Sequence, residues 1–274
     1  MRYIAAGFPV YIHLGKFSFH PHPFFETLAY SAAFCAYLFL RRRFGDPIVT
    51  QIRWAVIATA VAGAAIGAKL LFWLEAPQFT LSRLHDPAYL AGGKTIVGAL
   101  AFGLLSVELM KRYIGVQQST GDLYAAPLTL GIAIGRVGCF LTGLPDNTYG
   151  TPTALPWGVD FGDGIKRHPT QLYEIVFLLA LIPVLYGMLR SITRPEFSDE
   201  GRKATFVAGD VFKFFMVSYL SFRLLCDFIK PYQRIFLGLG GIQWVCVVVL
   251  LYYFGDIARW FKKMTIWIRS SRSS

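Results

Sequence analysis

The chain has 274 residues, 27 Lys+Arg against 16 Asp+Glu, and a formal net charge of +11; hydrophobic residues make up 55% and charged residues only 16%, where a soluble globular chain carries about 25% charged residues. The charges bunch between long apolar runs, which excludes a disordered chain, a soluble enzyme with one ordinary core, and a nucleic-acid binder with basicity spread over its surface. What remains is an all-α, polytopic membrane protein forming a single integral membrane domain over 1–274.

In chain order, residues 1–23 carry Pro9, Pro21, Pro23 and three histidines rather than a clean apolar leader run, and read as an outer-side segment ahead of the first span. A helix needs roughly 20 mostly apolar residues to cross a bilayer. Seven stretches qualify or nearly qualify: Phe24–Leu40, Trp54–Leu74, Ile96–Met110, Tyr124–Thr142, Leu172–Leu189, Val211–Ile229 and Leu237–Phe254. Gly63/Gly67 and Gly131/Gly135 stand at the spacing that lets helix backbones approach closely in lipid, and packing is their expected role. Residues 143–171 form a long outer loop between spans four and five, and 256–274 a basic tail in which Arg259–Lys263 with Trp260, Phe261 and Trp267 suits an interfacial amphipathic helix.

Lys/Arg in short loops sets orientation. The loops after spans one, three and five and the tail carry 15 of these residues: Arg41, Arg42, Arg43, Arg53, Lys111, Arg112, Arg190, Arg194, Arg202, Lys203, Arg259, Lys262, Lys263, Arg269 and Arg272. The opposite side carries 8: Arg2, Lys16, Arg83, Lys94, Lys166, Arg167, Lys230 and Arg234. The first side is therefore cytoplasmic, with the N-terminus outside and the C-terminus inside. Topology accounts for most of the basicity, so no nucleic-acid partner is expected.

Lys69, Arg136, Lys213 and Arg223 remain at membrane depth with Glu26, Glu108, Glu174 and Asp227. Each costs a few kcal/mol or more in hydrocarbon unless paired or hydrated, so each is a functional candidate. Lys69 and Lys213 sit near span ends, where a structural ion pair or snorkelling explains them. Arg223, Asp227 and Lys230 fall at i, i+4 and i+7, one helical face. Arg136 lies deep in span four within Gly135-Arg136-Val137-Gly138-Cys139. Its guanidinium can take a phosphate bidentately, and the flanking glycines let a headgroup come close. These residues alone suggest an outward-opening pocket for an anionic phospholipid between spans four and six.

The loop after span four is rich in Gly and Pro and ends in Arg167-His168-Pro169-Thr170-Gln171-Leu172-Tyr173-Glu174. Pro169 suits a first helical turn, and Gln171 and Glu174 share a face at i, i+3. A loop of this length and placement reads as a substrate lid. The four cysteines, Cys35, Cys139, Cys226 and Cys246, show no CxxC spacing, so neither a disulfide framework nor a zinc site is read from them. A metal at His20 and His22 is conceivable, but two histidines without assigned carboxylate or thiol partners are a weak signal, and no metal and no cofactor are expected.

The sequence resembles the prolipoprotein diacylglyceryl transferase family. The likeness rests on the seven-span layout, on Gly135-Arg136-x-Gly138-x-Phe140-x-x-Gly143, Tyr149-Gly150-x-Pro152 and Leu155-Pro156-Trp157, and on the Arg167–Glu174 block. It continues through Phe222-Arg223, Asp227 and Gly241-Ile242-Gln243, and covers about half the chain, mainly from span four onward. It implies an inner-membrane transferase that moves the diacylglyceryl group of phosphatidylglycerol onto the thiol of a prolipoprotein lipobox cysteine, with glycerol phosphate leaving.

On that resemblance Arg136 holds the phosphate, assisted by Arg223 and Lys230. The loop with Tyr149, Gly150, His168 and Gln171 orders around the substrate, with Gly138, Cys139 and Gly143 lining it, and Glu174 and Asp227 position the basic residues. The chain departs from the family at Val97, where the family has a His suited to thiol activation. It departs again at Cys139, where Asn is usual, at Lys230, where a second Arg is expected, and at Glu26, in the place of a Tyr. Catalysis then needs a base from elsewhere: His168, Glu26 or His22. Cys139 is open to reading as a packing residue or as a nucleophile. A relative with another acceptor, and a non-catalytic phospholipid binder, are the alternatives these departures allow.

Overall fold

In apolar surroundings backbone amides and carbonyls must be satisfied within the chain, and a helix does this residue by residue. The computed structural model describes residues 7–46, 48–193 and 206–270 and places helix over each of the seven apolar stretches. A β-hairpin, β1 (Ile12–Leu14) and β2 (Phe17–Phe19), leads into α1 (Pro21–Phe44), followed by α2 (Thr50–Glu75), two short helices α3 (Pro77–Ser82) and α4 (Pro87–Ala91), and α5 (Ile96–Tyr113). Next come α6 (Asp122–Thr142), a 3-10 turn Leu144–Asp146, the two-residue strands β3 (Val159–Asp160) and β4 (Lys166–Arg167), and α7 (Thr170–Thr193). The chain closes with α8 (Asp210–Cys226), a 3-10 turn Asp227–Ile229, α9 (Gly241–Tyr252) and α10 (Phe254–Ser270).

Among the described residues α1, α2, α6 and α7 are long and apolar enough to cross a membrane, and α9 with the start of α10, bent by 57°, makes a fifth candidate if the pair is one span. The protein is thus mostly helical. The other two predicted stretches are shorter or more charged. Helix α5 ends in Glu108, Lys111 and Arg112, and α8 has 17 residues and includes Asp210, Lys213 and Arg223. The strictly all-α expectation is corrected by the two small antiparallel hairpins, Leu14↔Phe17 closing the first and Val159↔Arg167 with Asp160↔Lys166 forming the second. The first hairpin turns at Gly15, whose φ of +61° a residue with a Cβ rarely adopts.

The chain divides into two compact units. The first comprises Met1–Gly45, Gly121–Phe197 and Leu225–Pro231. Its centre is α6, which packs against α1 on one side and α7 on the other. The second comprises Asp46–Thr120, Ser198–Leu224 and Tyr232–Ser274, with α2 packed along α5 and α9 touching both.

Gly63 and Gly67 explain the α2–α5 pairing. A Cβ on Gly67 would stand 2.4 Å from the Gly98 carbonyl oxygen, and one on Gly63 2.1 Å from the Ser106 hydroxyl. The packing role expected for these glycines therefore holds. Gly131 likewise lies close to Ala29 and Ala33 of α1, whereas Gly135 faces open space.

The charges at span ends also find partners in the second unit. Lys69 Nζ is held by the carbonyls of Leu90, Ala91, Gly92 and Gly93 at the end of α4 rather than by a carboxylate. Lys213 pairs with Asp256 at 2.9 Å, and Arg259 bridges Asp256 and Asp210. Arg259 is thereby turned toward the protein. Of the loop and tail charges used for orientation, Arg2, Arg194, Arg202, Lys203 and Arg272 lie outside the described residues.

Candidate functional site

The first unit gathers most of the singled-out residues around α6. Arg136 and Cys139 sit at i, i+3 on one face of that helix, and Arg136 Nη1 donates toward Cys139 Sγ at 3.6 Å. Gly138 between them has no side chain, and α1 uses the space. A Cβ there would stand 2.8 Å from Phe25 Cβ and 3.2 Å from the Pro21 carbonyl oxygen. The close approach brings His22, in the first turn of α1, alongside Cys139. The helix was expected to begin near Phe24; it begins at Pro21, as proline in a first turn favours, and this puts His22 on the helix.

After α6 the chain turns at Gly143, φ +73°, into the 3-10 turn that carries Asp146. Asp146 Oδ1 lies 3.0 Å from His22 Nδ1, and Thr148 donates its hydroxyl to Asp146 Oδ2. Burial pushes the Asp146 carboxyl up. The hydrogen bonds from His22 and Thr148 and the charge of Arg136 outweigh that and hold it below the ordinary carboxylate range. The Thr148 carbonyl in turn accepts from Thr170 Oγ1, the first residue of α7. One turn further along α7, Glu174 reaches back to Arg136 Nε at 2.9 Å.

Arg136 is 5% exposed, and Glu174, 1% exposed, is its counter-ion, the carboxylate expected to position it. Helix packing of α6 on α7 makes the pairing, as a buried guanidinium requires. Gln171, on the same face of α7 as Glu174, is also 1% exposed, and neither atom of its amide has a hydrogen-bond partner among the described residues. A buried amide with no partner costs about 1–3 kcal/mol.

The loop from Tyr149 to His168 is tied down rather than open. Gly150 N donates to the His168 carbonyl and His168 N to the Thr151 carbonyl, while Thr151 N donates to the Ile229 carbonyl at 2.8 Å. Gly150 cannot carry a side chain here, because a Cβ would lie 2.6 Å from His168 Cβ. The His168 ring meets Tyr173 Oη at 3.1 Å, which also accepts from Trp157 Nε1. Tyr149 stacks beneath the Arg167 guanidinium, 5.1 Å from ring centroid to Cζ.

The bond from Thr151 joins the loop to the segment carrying Asp227 and Lys230. Lys230 is buried and its Nζ lies 3.6 Å from Asp227 Oδ1. It does not continue the face of span six. Helix α8 stops at Cys226, and Lys230 is extended, φ −103° and ψ 148°, because it precedes Pro231. Glu26 accepts from Tyr30 Oη at 2.9 Å and faces His22 Nε2 at 3.9 Å. Arg223 is buried near the end of α8, in the second unit. The residue that sequence reasoning missed is Asp146; the signal for it was a lone carboxylate three residues past Gly143, at the end of an apolar span.

Residues 9–258 match the profile of a protein family described as prolipoprotein diacylglyceryl transferase. A relative from Geobacter sulfurreducens named phosphatidylglycerol–prolipoprotein diacylglyceryl transferase is 32% identical over 234 residues, 81% of this chain and 82% of its own. Relatives of the same name from Bordetella avium and Polynucleobacter necessarius are 29% identical over 255 and 270 residues, each covering 89% of this chain and 90% and 92% of their own.

Proposed function

The chain belongs to the prolipoprotein diacylglyceryl transferase family, a family of membrane transferases in lipoprotein biosynthesis, and we propose that it moves the diacylglyceryl group of phosphatidylglycerol onto the thiol of a prolipoprotein lipobox cysteine. Glycerol phosphate is the leaving group. We place the protein in the inner membrane with α1, α2, α5, α6, α7, α8 and α9 as its spans, the N-terminus outside and the C-terminus cytoplasmic. The excess of Lys/Arg on the loops assigned to the cytoplasm supports that orientation.

The observation that carries the reading is Arg136, a guanidinium buried in an apolar helix with its Nε edge held by Glu174. A phosphate is a much stronger acceptor than a thiol, and the Nη edge of the fork fits it bidentately. Held by Glu174, the guanidinium is aimed before the lipid arrives, so charge developing on the leaving phosphate meets a preorganised donor. Gln171 supports the same reading, since a lipid oxygen would supply its missing partner. Lys230, steadied by Asp227, adds a second cation below the Tyr149–His168 loop, and that loop closes over the reacting groups.

The test is to incubate the purified chain with phosphatidylglycerol and a lipobox peptide and to look for the thioether by mass spectrometry. Product from the wild type, and its loss in Arg136→Ala, is the expected result. No product under conditions where the Bordetella avium relative is active would overturn the reading. A second reading, transfer to another acceptor, is favoured by one observation: Val97, buried at 1% exposure, stands where the resemblance expects the activating His. Lipid profiling of cells with and without the protein separates the two, because only the second yields a new non-protein lipid.

A further inference from the structure

Attack on a saturated carbon needs a thiolate, and at neutral pH an ordinary thiol is mostly protonated. With Val97 in place of the expected His, the means of deprotonation lies elsewhere. Three side chains converge in the first unit: one donor atom each from His22, Cys139 and Asp146, all within 4.8 Å of one another. They come from the start of α1, the end of α6 and the turn after it. Resting on the transferase reading above, we propose that His22, Cys139 and Asp146 bind one zinc-class divalent cation, whose fourth position takes the acceptor thiol.

The donor set is the argument. Imidazole nitrogen, thiolate sulfur and carboxylate oxygen are the ligands zinc takes, and three protein ligands with one open position are the pattern of a catalytic rather than a structural site. Across a tetrahedral ion such ligand atoms stand about 3.3–3.6 Å apart given the usual bond lengths. His22 Nδ1 and Asp146 Oδ1 are at 3.0 Å and the three donor atoms lie within 4.8 Å of one another, so the ligands would have to draw together around the ion.

The charges of the ligands and the ion sum to zero. A neutral imidazole, a thiolate and a carboxylate cancel the two positive charges of the ion. Arg136, 3.6 Å from the sulfur, has its own charge met by Glu174, and its N–H donates to the coordinated thiolate. The outer shell is also present. Thr148 donates to the free side of the Asp146 carboxylate, and Glu26 faces His22 Nε2, the arrangement that orients a metal-bound imidazole.

The step balances. The acceptor thiol loses its proton on coordination, as metal-bound thiols do. Its sulfur forms a bond to the glyceryl carbon, and the carbon–oxygen bond to phosphate breaks. The electron pair leaves with glycerol phosphate, which takes up the equivalent of the released proton. No oxidant or reductant is needed.

The experiment uses the full chain in detergent, stripped with chelator and titrated with Co²⁺. One Co²⁺ per chain is expected, with a near-ultraviolet sulfur-to-cobalt band that Zn²⁺ displaces. Cys139→Ser should abolish that band, and Asp146→Asn should weaken binding by at least tenfold, with thermal melts establishing that each variant is folded. His22→Gln serves where one of these fails to fold. Less than stoichiometric binding by the wild type, or unchanged cobalt spectra in the folded variants, overturns the site. Thioether formation by metal-free protein also overturns it and leaves the transferase reading standing. Stoichiometric cobalt without thioether product removes the transferase reading and leaves the ion site.

Discussion

Glu174 holds Arg136 by its Nε edge at 2.9 Å, with both side chains almost wholly removed from water. The pair links α6 to α7 and fixes which way the guanidinium points. Removing one member of a buried pair strands the other charge and costs about 3–5 kcal/mol. Glu174→Gln is therefore expected to lower the melting temperature far more than the loss of one surface ion pair does. Arg136→Lys should fold better than Glu174→Gln and yet lose about 100-fold or more in transfer rate, since an ammonium cannot copy the fork. Melting curves and product formation, measured on both variants, check the two statements.

Gly138 is the point at which α1 reaches α6. A methyl group there meets Phe25 Cβ at 2.8 Å, and the start of α1 must shift to accommodate it. Gly138→Ala is expected to cost about 1–3 kcal/mol of stability, and to disturb His22 before it disturbs the far end of α1. Hydrogen exchange on residues 21–30 against 35–44 reads the difference.

Lys230 and Asp227 are each 2% exposed or less and pair at 3.6 Å. Lys230→Met and Asp227→Asn should each destabilise strongly, while the double variant should recover part of the loss, because it leaves no stranded charge. A double-mutant cycle in denaturant gives a coupling of about 0.5–3 kcal/mol if the pair acts as drawn.

Arg167 holds the carboxyl of Asp163 below its usual range, chiefly through their hydrogen bonds. A carboxylate held low contributes above its ordinary titration range and loses that contribution as pH falls through its folded value. The turn between β3 and β4 should loosen at acid pH, and Asp163→Asn should show the loosened state already at neutral pH. Amide exchange at Gly162–Ile165 is the measurement, and salt should weaken the effect because the pair is partly exposed.

Gly67 lies under Gly98, with the Gly98 carbonyl oxygen 2.4 Å from where a Cβ would be. Gly67→Leu is expected to separate α2 from α5 and to prevent accumulation of folded protein. Gly135→Ala, where nothing lies within 4 Å, should be tolerated. Expression and size-exclusion profiles distinguish the two.

What was legible in the sequence was local. Each apolar run folds as a helix because its own backbone must be satisfied inside it, and the charges that make α5 and α8 less apolar than the other helices are printed in the chain. The Arg167–Glu174 block carries its meaning in its own order, as does Lys230, since a proline biases the residue before it toward extended backbone. The expected face of Arg223, Asp227 and Lys230 failed by overlooking that rule.

The sequence by itself therefore settled helical architecture, the family likeness, and the burial of Arg136 in an apolar span. Only the tertiary structure decided which charge answers which. Arg136 meets Glu174, and His22 meets Asp146 across 124 residues of chain, because Gly138 admits α1 and because α7 lies along α6. No periodicity encodes such meetings: they depend on which helix faces pack together, and that choice minimises stranded charge and unfilled volume over the whole unit at once.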